Sequence, residues 1–135
     1  MREILFRAKT KATKEWTYGH FAKQYDVPQI YAGNGHECIY EDTLCQYTGL
    51  TDKNGTKIFE GDIVKFKHGG EFDKKIYYRN YAVEFINTYV TYGLRLRNRS
   101  IHFPFKKATA LQHDAEVIGN IYDNPELIGG GENDT

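Results

Sequence analysis

The stretch Gln46–Val64, which reads QYTGLTDKNGTKIFEGDIV, decides the fold. At its centre, Asn54-Gly55 tolerates positive φ at both turn positions, which makes it the strongest short-range signal of a β-hairpin. The flanking segments, Leu44–Leu50 and Thr56–Phe59, are the two strands that this turn joins. Gly61-Asp62 then predicts a corner before a further strand, because glycine permits a tight bend and aspartate can cap backbone donors. This order is typical of a small antiparallel barrel.

The N-terminal part predicts a second hairpin. Glu3–Lys11 alternates apolar and polar residues and predicts a strand, and Glu15–Ala22 predicts its partner. Residues 25–36 contain one proline and two glycines, so we expect a loop and linker there.

Strand patterns continue downstream of the central stretch. The long alternation of Tyr78–Arg97 predicts two strands that meet near Asn87-Thr88, and Glu116–Tyr122 predicts the last strand. No segment with helical periodicity exceeds about three turns. The predicted fold class is therefore mainly β: a small antiparallel barrel with an N-terminal β-hairpin extension and little helix.

Length and composition suit one domain with a small appended lobe. The 135 residues predict an N-terminal β-hairpin and linker at 1–36, a β-barrel domain at 37–128 and a flexible acidic tail at 129–135. Aromatic residues make up 15% of the chain, enough for a core with amphipathic rings left for the surface. The composition excludes a collagen, a mucin and a disulfide scaffold.

The sequence also predicts where the protein acts. It has no apolar run of the roughly 20 residues that a membrane span needs, and no secretory signal, so we expect no membrane partner. Two cysteines are too few for a disulfide framework in a chain of this length. We therefore expect a protein of the reducing cytoplasm, with both thiols free.

The zero net charge of the chain hides four blocks of alternating sign. Residues 1–35 carry a net charge of +3, residues 36–64 of −4, residues 65–107 of +7 and residues 108–135 of −6. Such blocks can neutralise each other within one chain or between subunits, and they can also leave a free anion-binding face. The acidic tail can in particular lie over the basic sheet.

The cysteines and histidines do not form a convincing catalytic or metal site. His36, Cys38 and Cys45 have the spacing H-x-C-x₆-C, which differs from the paired spacing of zinc ligands. A thiol with a nearby histidine is also no catalytic signature without a third, orienting group. We expect no enzyme activity, no catalytic residues, no metal and no cofactor.

One basic stretch has the pattern of a nucleic-acid interface. In a strand over Tyr89–Arg99, three arginines share one face at intervals of roughly 6.6 Å, close to the distance between phosphates of an extended strand. Two lysines repeat this spacing, Lys74, Lys75 and Arg79 lie in or beside the intervening loop, and tyrosines such as Tyr77 and Tyr78 are interleaved. The candidate nucleic-acid-binding residues are Arg95, Arg97, Arg99, Lys65, Lys67 and Tyr89. The alternative is that the arginines decorate a solvated face while the tyrosines pack in the core or between subunits.

Three blocks together resemble one family. They are REILFRAK with WTYG at residues 2–19, the central stretch Gln46–Val64, and VIGNIYDNPEL at Val117–Leu127. The chain is similar to the YopX family of phage and prophage proteins. That resemblance implies an SH3-like barrel with an N-terminal extension, a phage origin and self-association, but no established activity. The shared glycines and asparagines read as turns and corners: Gly49, Asn54-Gly55, Gly61-Asp62, Gly119 and Asn124-Pro125.

Two functions remain open. We expect a non-enzymatic phage accessory protein, a binding or assembly module that forms a homo-oligomer or binds a host protein. The alternative is weak nucleic-acid binding through the basic, tyrosine-rich β face.

Overall fold

The computed structural model describes residues 3–70, 75–86, 91–95, 102–104 and 112–129. Within these residues the protein is mainly β, with its strands in two sheets. The chain divides into two compact units, Met1–Gly49 and Leu50–Thr135. No helix in the described part of the chain is long and apolar enough to cross a membrane.

The first sheet begins with the predicted N-terminal hairpin. Its strands are β1 (Phe6–Lys9), β2 (Trp16–Gln24), β3 (Val27–Ala32), β4 (Gly35–Cys38), β5 (Cys45–Thr51) and β6 (Lys57–Phe59). They lie in the order β4-β3-β2-β1-β5-β6. A 3-10 turn at Glu41–Thr43 precedes β5. The core of the first unit consists of buried Ala8, Ile30 and Ile39 with partly buried Phe6, Phe21 and Leu44.

Residues 25–36 are not the loop and linker that the sequence predicted. They contain β3 and the first half of β4, and these two strands pair antiparallel. The turn residues that suggested a loop are the tight turn between these strands, where Gly33 has a φ of +59°. Local composition could not separate a hairpin turn from a longer loop, because β3 contains a proline and the four residues of β4 are all exposed.

The second sheet carries the remaining strands. These are β7 (Asp62–His68), β8 (Tyr77–Ile86), β9 (Thr91–Arg95), β10 (His102–Pro104) and β11 (Ala115–Asn120), in the order β10-β9-β8-β7-β11. All four neighbouring pairs are antiparallel. One face buries Ile58, Val64, Tyr81, Val83, Leu94 and Ala115. On the other face, Ile63 and Ala82 pack against Ile128 of the short helix α1 (Glu126–Gly129).

A buried carboxylate holds the central hairpin in place. Asp52 is only 2% exposed. Its Oδ1 accepts hydrogen bonds from the backbone N–H of Asn54 (2.8 Å) and Thr56 (2.9 Å), and its Oδ2 accepts one from Val117 N–H (2.8 Å). Gly55 has the predicted positive φ, +81°. The hairpin at Asn54-Gly55 is therefore confirmed, although only Gly55 and not Asn54 has a positive φ. Asp52 ties this hairpin to β11.

The predicted corner at Gly61-Asp62 is confirmed as well. Gly61 has a φ of +89°, and Asp62 Oδ2 accepts a hydrogen bond from the backbone N–H of Phe59 (2.7 Å). After β11, Asn124 Oδ1 accepts a hydrogen bond from Asn120 N–H (3.2 Å). Gly61 and Asn124 therefore lie in turns, as predicted, whereas Gly49 and Gly119 lie within strands β5 and β11, and Gly119 lies at a shift in the register between β11 and β7.

The antiparallel, mainly β class is confirmed, but the SH3-like barrel is not, because the strands form two sheets in which no closed barrel is found among the described residues. The predicted long alternation corresponds to β8 and β9, and the predicted junction at Asn87-Thr88 lies outside the described residues. The same holds for residues 130–135 of the predicted tail. The predicted last strand corresponds to β11.

Candidate nucleic-acid interface

Four of the described basic residues of the second unit lie on or beside the ribbon that β7 and β8 form: Lys65, Lys67, Lys75 and Arg79. In its register Lys67 lies opposite Tyr78 and His68 lies opposite Tyr77. Directly opposed residues of an antiparallel pair share a face, and successive residues alternate. Two surfaces result: the Tyr78 face, with Lys65, Lys67 and Tyr78, and the Tyr77 face, with His68, Tyr77 and Arg79.

On the Tyr78 face, a lysine and a tyrosine ring are in contact. Lys65 Nζ lies 5.0 Å from the centroid of the Tyr78 ring, and the tyrosine is 52% exposed. Lys67 lies across from the same tyrosine on the neighbouring strand. A cation–π contact at an exposed site contributes about 0.5–1 kcal/mol, which helps to fix the position of the Tyr78 ring. The ring stays accessible to solvent and lies beside two lysines.

On the Tyr77 face, the ring is packed more closely. The His68 imidazole stacks on Tyr77 with centroids 5.0 Å apart and planes at 15°, and Arg79 Cζ lies 5.5 Å from the same ring. His68 Nε2 is also 2.9 Å from the hydroxyl oxygen of buried Tyr81. This face continues into the core of the unit.

The Tyr77 face shifts two pKa values. Burial lowers the pKa of His68 below its ordinary value, and the nearby Arg79 cation lowers it further, while Asp114 acts in the opposite direction. Burial raises the pKa of the Tyr81 hydroxyl. The lowered pKa of His68 favours its neutral form, so Arg79 is the main cation of this face.

The structure describes three of the six binding residues that the sequence predicted. Lys65 and Lys67 share one face of β7, as predicted. Arg95 lies on the same face of the sheet, across β8, and its Nε donates to Glu84 Oε1 at 2.9 Å. This carboxylate balances its charge. Arg97, Arg99 and Tyr89 lie outside the described residues.

Acidic residues border the ribbon. Glu116 of β11 lies directly opposite Lys65, and its Oε1 is 3.9 Å from Lys53 Nζ. The basic block 65–107 and the acidic block 108–135 thus meet within one chain. Contact between subunits is not needed to bring these two blocks together.

The sequence reasoning placed Tyr77, Tyr78 and Arg79 beside the predicted site but did not choose them as binding residues. Their adjacency to lysines was visible, and two consecutive tyrosines in a strand point to opposite faces. Which lysine each ring would meet depends on the β7–β8 register, and the sequence does not determine it.

The cysteines and the histidine that were considered as catalytic or metal-binding residues lie in different surroundings. Cys45 is buried and its Sγ donates to Thr43 O (3.3 Å), whereas Cys38 is exposed on β4. The His36 ring stacks on Tyr31. Among the residues that the structure describes, no group of three metal-ligating side chains is close enough to hold an ion.

Comparisons with known proteins found a matching family and a similar solved structure. A model of the YopX protein family matches residues 5–129, nearly the whole chain. The chain belongs to the YopX family. Its fold is similar to that of protein EF1440 from Enterococcus faecalis, a crystal structure, with a TM-score of 0.56 and 22% identity over 95% of this chain and 99% of that one. No curated protein matches this YopX family member.

Proposed function

We propose that this YopX family protein is a phage or prophage accessory protein that acts in the cytoplasm of the bacterial host as a non-enzymatic binding module. We propose further that it binds nucleic acid, weakly, through the two faces of the β7–β8 ribbon. One observation carries this proposal: two half-exposed tyrosine rings on one ribbon, each held against a lysine or arginine.

This pairing suits a polyanion that carries aromatic bases. Lysine and arginine side chains neutralise phosphates, and exposed tyrosine rings can stack on bases. Lys65 and Lys67 offer two phosphate contacts on the Tyr78 face, and Arg79 offers a third on the Tyr77 face. A ligand that makes two or three of these contacts should show a slope of about −1.4 to −2.7 in log K against log salt. Glu116 and Asp114 border the cations, so we expect affinities in the non-specific range of about 10⁻⁴–10⁻⁶ M at physiological salt.

Charge reversal tests the proposal. The double variant Lys65→Glu, Lys67→Glu should reduce the affinity for a labelled oligonucleotide by at least about tenfold and flatten the salt dependence. The double variant Lys11→Glu, Lys14→Glu changes the net charge equally at exposed sites of the first unit and should bind like the wild type. Fluorescence anisotropy at several salt concentrations measures both. Equal effects of the two double variants would show that only net charge matters and would contradict the ribbon site.

Self-association is the second candidate function. The observation that favours it is the edge strand β4, where all four residues are exposed. Among the described strands it pairs only with β3, and only its last residue, Cys38, accepts a further backbone hydrogen bond, from Lys11 N–H (2.9 Å). A second copy can add to such an edge through backbone hydrogen bonds. A host protein could occupy the same edge.

Light scattering at low and high salt tests this second candidate. Edge pairing predicts a dimer whose mass is insensitive to salt, since backbone hydrogen bonds carry no net charge. Cys38→Lys places a like charge on each copy's edge and should dissociate the dimer, while Ala12→Lys at an exposed turn should leave it intact. A monomeric wild type at millimolar concentration would exclude this role.

A further inference from the structure

The two tyrosines of the ribbon differ in how many protein side chains contact each ring. The Tyr77 ring stacks on His68 and lies beside the Arg79 guanidinium. In the described part of the chain, the Tyr78 ring is contacted by one charged group, Lys65, and by no aromatic ring. Tyr78 is also 52% exposed. Of the two rings, Tyr78 is therefore the one with fewer described side-chain contacts for a planar ligand to displace.

The cations beside Tyr78 have the spacing of a nucleic-acid backbone. Lys65 and Lys67 point to the same face of β7, two residues apart, which places them roughly 6.6 Å apart along the strand. That distance is close to the separation of successive phosphates in an extended single strand. The register puts Tyr78 beside this pair on β8. One nucleotide can thus place its base on Tyr78 while its two flanking phosphates meet the lysines.

The charges next to Lys65 influence the direction in which a bound nucleic-acid strand would run. Glu116 lies on β11, on the opposite side of β7 from Tyr78, directly across from Lys65. The Glu116 carboxylate is paired with Lys53, so that side of β7 offers a phosphate no free cation in the described part of the chain, and its negative charge disfavours a phosphate there. A bound backbone is therefore directed along β7 and over β8, where the exposed ring is.

A stacking ring selects the form of the nucleic acid. In a duplex, the faces of each base are covered by neighbouring base pairs, whereas a single strand can splay a base onto an aromatic side chain. We infer that Tyr78 stacks on one base of a single-stranded nucleic acid, with Lys65 and Lys67 contacting its phosphates. This inference rests on the proposed nucleic-acid binding and adds its ligand class and its specificity-determining residue.

Tyr78→Ala tests the inference with a single-stranded oligonucleotide of mixed sequence and the duplex of the same sequence. Loss of one base stack should weaken single-strand binding by about 5- to 100-fold. The salt slope should stay unchanged, because no phosphate contact is lost. Duplex binding should change by less than about twofold. Tyr78→Phe keeps the ring and should retain wild-type affinity.

Tyr25→Ala is the matched control, because Tyr25 is 91% exposed at the turn between β2 and β3 and should not affect binding. Circular dichroism establishes that each variant is folded. If the wild type binds neither oligonucleotide, the proposed function fails and the inference fails with it. If the wild type binds but Tyr78→Ala binds the single strand equally well, or loses single strand and duplex to the same extent, nucleic-acid binding stands and the stacking role is wrong.

Discussion

Removal of the Asp52 carboxylate is the most direct test of how the second unit is held together. In Asp52→Ala, three backbone N–H groups lose their acceptor at once. The three donors are not equivalent. Asn54 and Thr56 lie in an exposed turn, where water can replace the lost acceptor. Val117 N–H lies on a partly buried strand 65 residues away in sequence, where water has less access.

The magnitude follows from this difference. A hydrogen bond to a charged group contributes about 1.5–3 kcal/mol when its donor cannot be rehydrated, and a rehydrated donor loses about 0.5 kcal/mol. We therefore expect Asp52→Ala to lower the free energy of unfolding by about 3 kcal/mol. With a urea slope of about 2 kcal/mol per molar, the midpoint should fall by about 1.5 M.

Asp52→Asn distinguishes the hydrogen bonds to the hairpin turn from the hydrogen bond to Val117. Its remaining oxygen can serve the hairpin turn, but its NH₂ group would face the Val117 N–H, and two donors repel. We expect a loss of about 2 kcal/mol together with faster hydrogen exchange of the Val117 amide. The hairpin amides of Asn54 and Thr56 should be less affected than in Asp52→Ala.

Urea unfolding followed by far-UV circular dichroism measures the stability of both variants. Asp42→Ala is the control, because Asp42 is exposed in the 3-10 turn and should change stability by less than about 0.5 kcal/mol. If Asp52→Ala lost less than about 1 kcal/mol, or if Val117 exchange were unchanged in Asp52→Asn, the carboxylate would not be what holds the hairpin against β11.

Two further predictions concern a turn and a titrating group. Gly119→Ala should destabilise the protein by about 1–3 kcal/mol in urea unfolding, because the new Cβ would lie 2.5 Å from Asn124 Oδ1, whereas Gly35→Ala meets nothing within 4 Å and should change stability by less than about 1 kcal/mol. A Gly119→Ala variant as stable as Gly35→Ala would contradict this close packing. Because the pKa of His68 is lowered on folding, its neutral form favours the folded state fully above the ordinary value of 6.5, and that contribution is lost as the pH falls through the lower folded pKa. The thermal midpoint of the wild type should therefore fall on acidification more steeply than that of His68→Gln, and parallel curves would contradict the shift.

Local sequence signals predicted the parts of the fold that depend on short-range geometry. Asn54-Gly55 and Gly61-Asp62 require positive φ or a tight bend, and these requirements are visible in the residue types themselves. The same reasoning failed at residues 25–36, where glycine and proline marked a turn between two strands and not a linker. Turn chemistry shows where a chain bends, but not whether the segments on either side are paired.

The sequence could not predict which residues far apart in the chain contact each other. That Asp52 would accept a hydrogen bond from Val117, 65 residues away, depends on β11 lying beside β7. The closed barrel was expected from strand number and turns alone. Closure also depends on how edge strands meet, and strand patterns do not record this.

In the candidate interface, too, the sequence determined some features and the tertiary structure determined the others. Period-two alternation by itself determined that Lys65 and Lys67 share a face, and that Tyr77 and Tyr78 point apart. Only the tertiary structure decided that Tyr78 lies beside Lys65, that His68 covers Tyr77, and that Glu84 balances Arg95. The physical reason is register: a shift of one residue between neighbouring strands exchanges every cross-strand partner, while each strand keeps the same alternation.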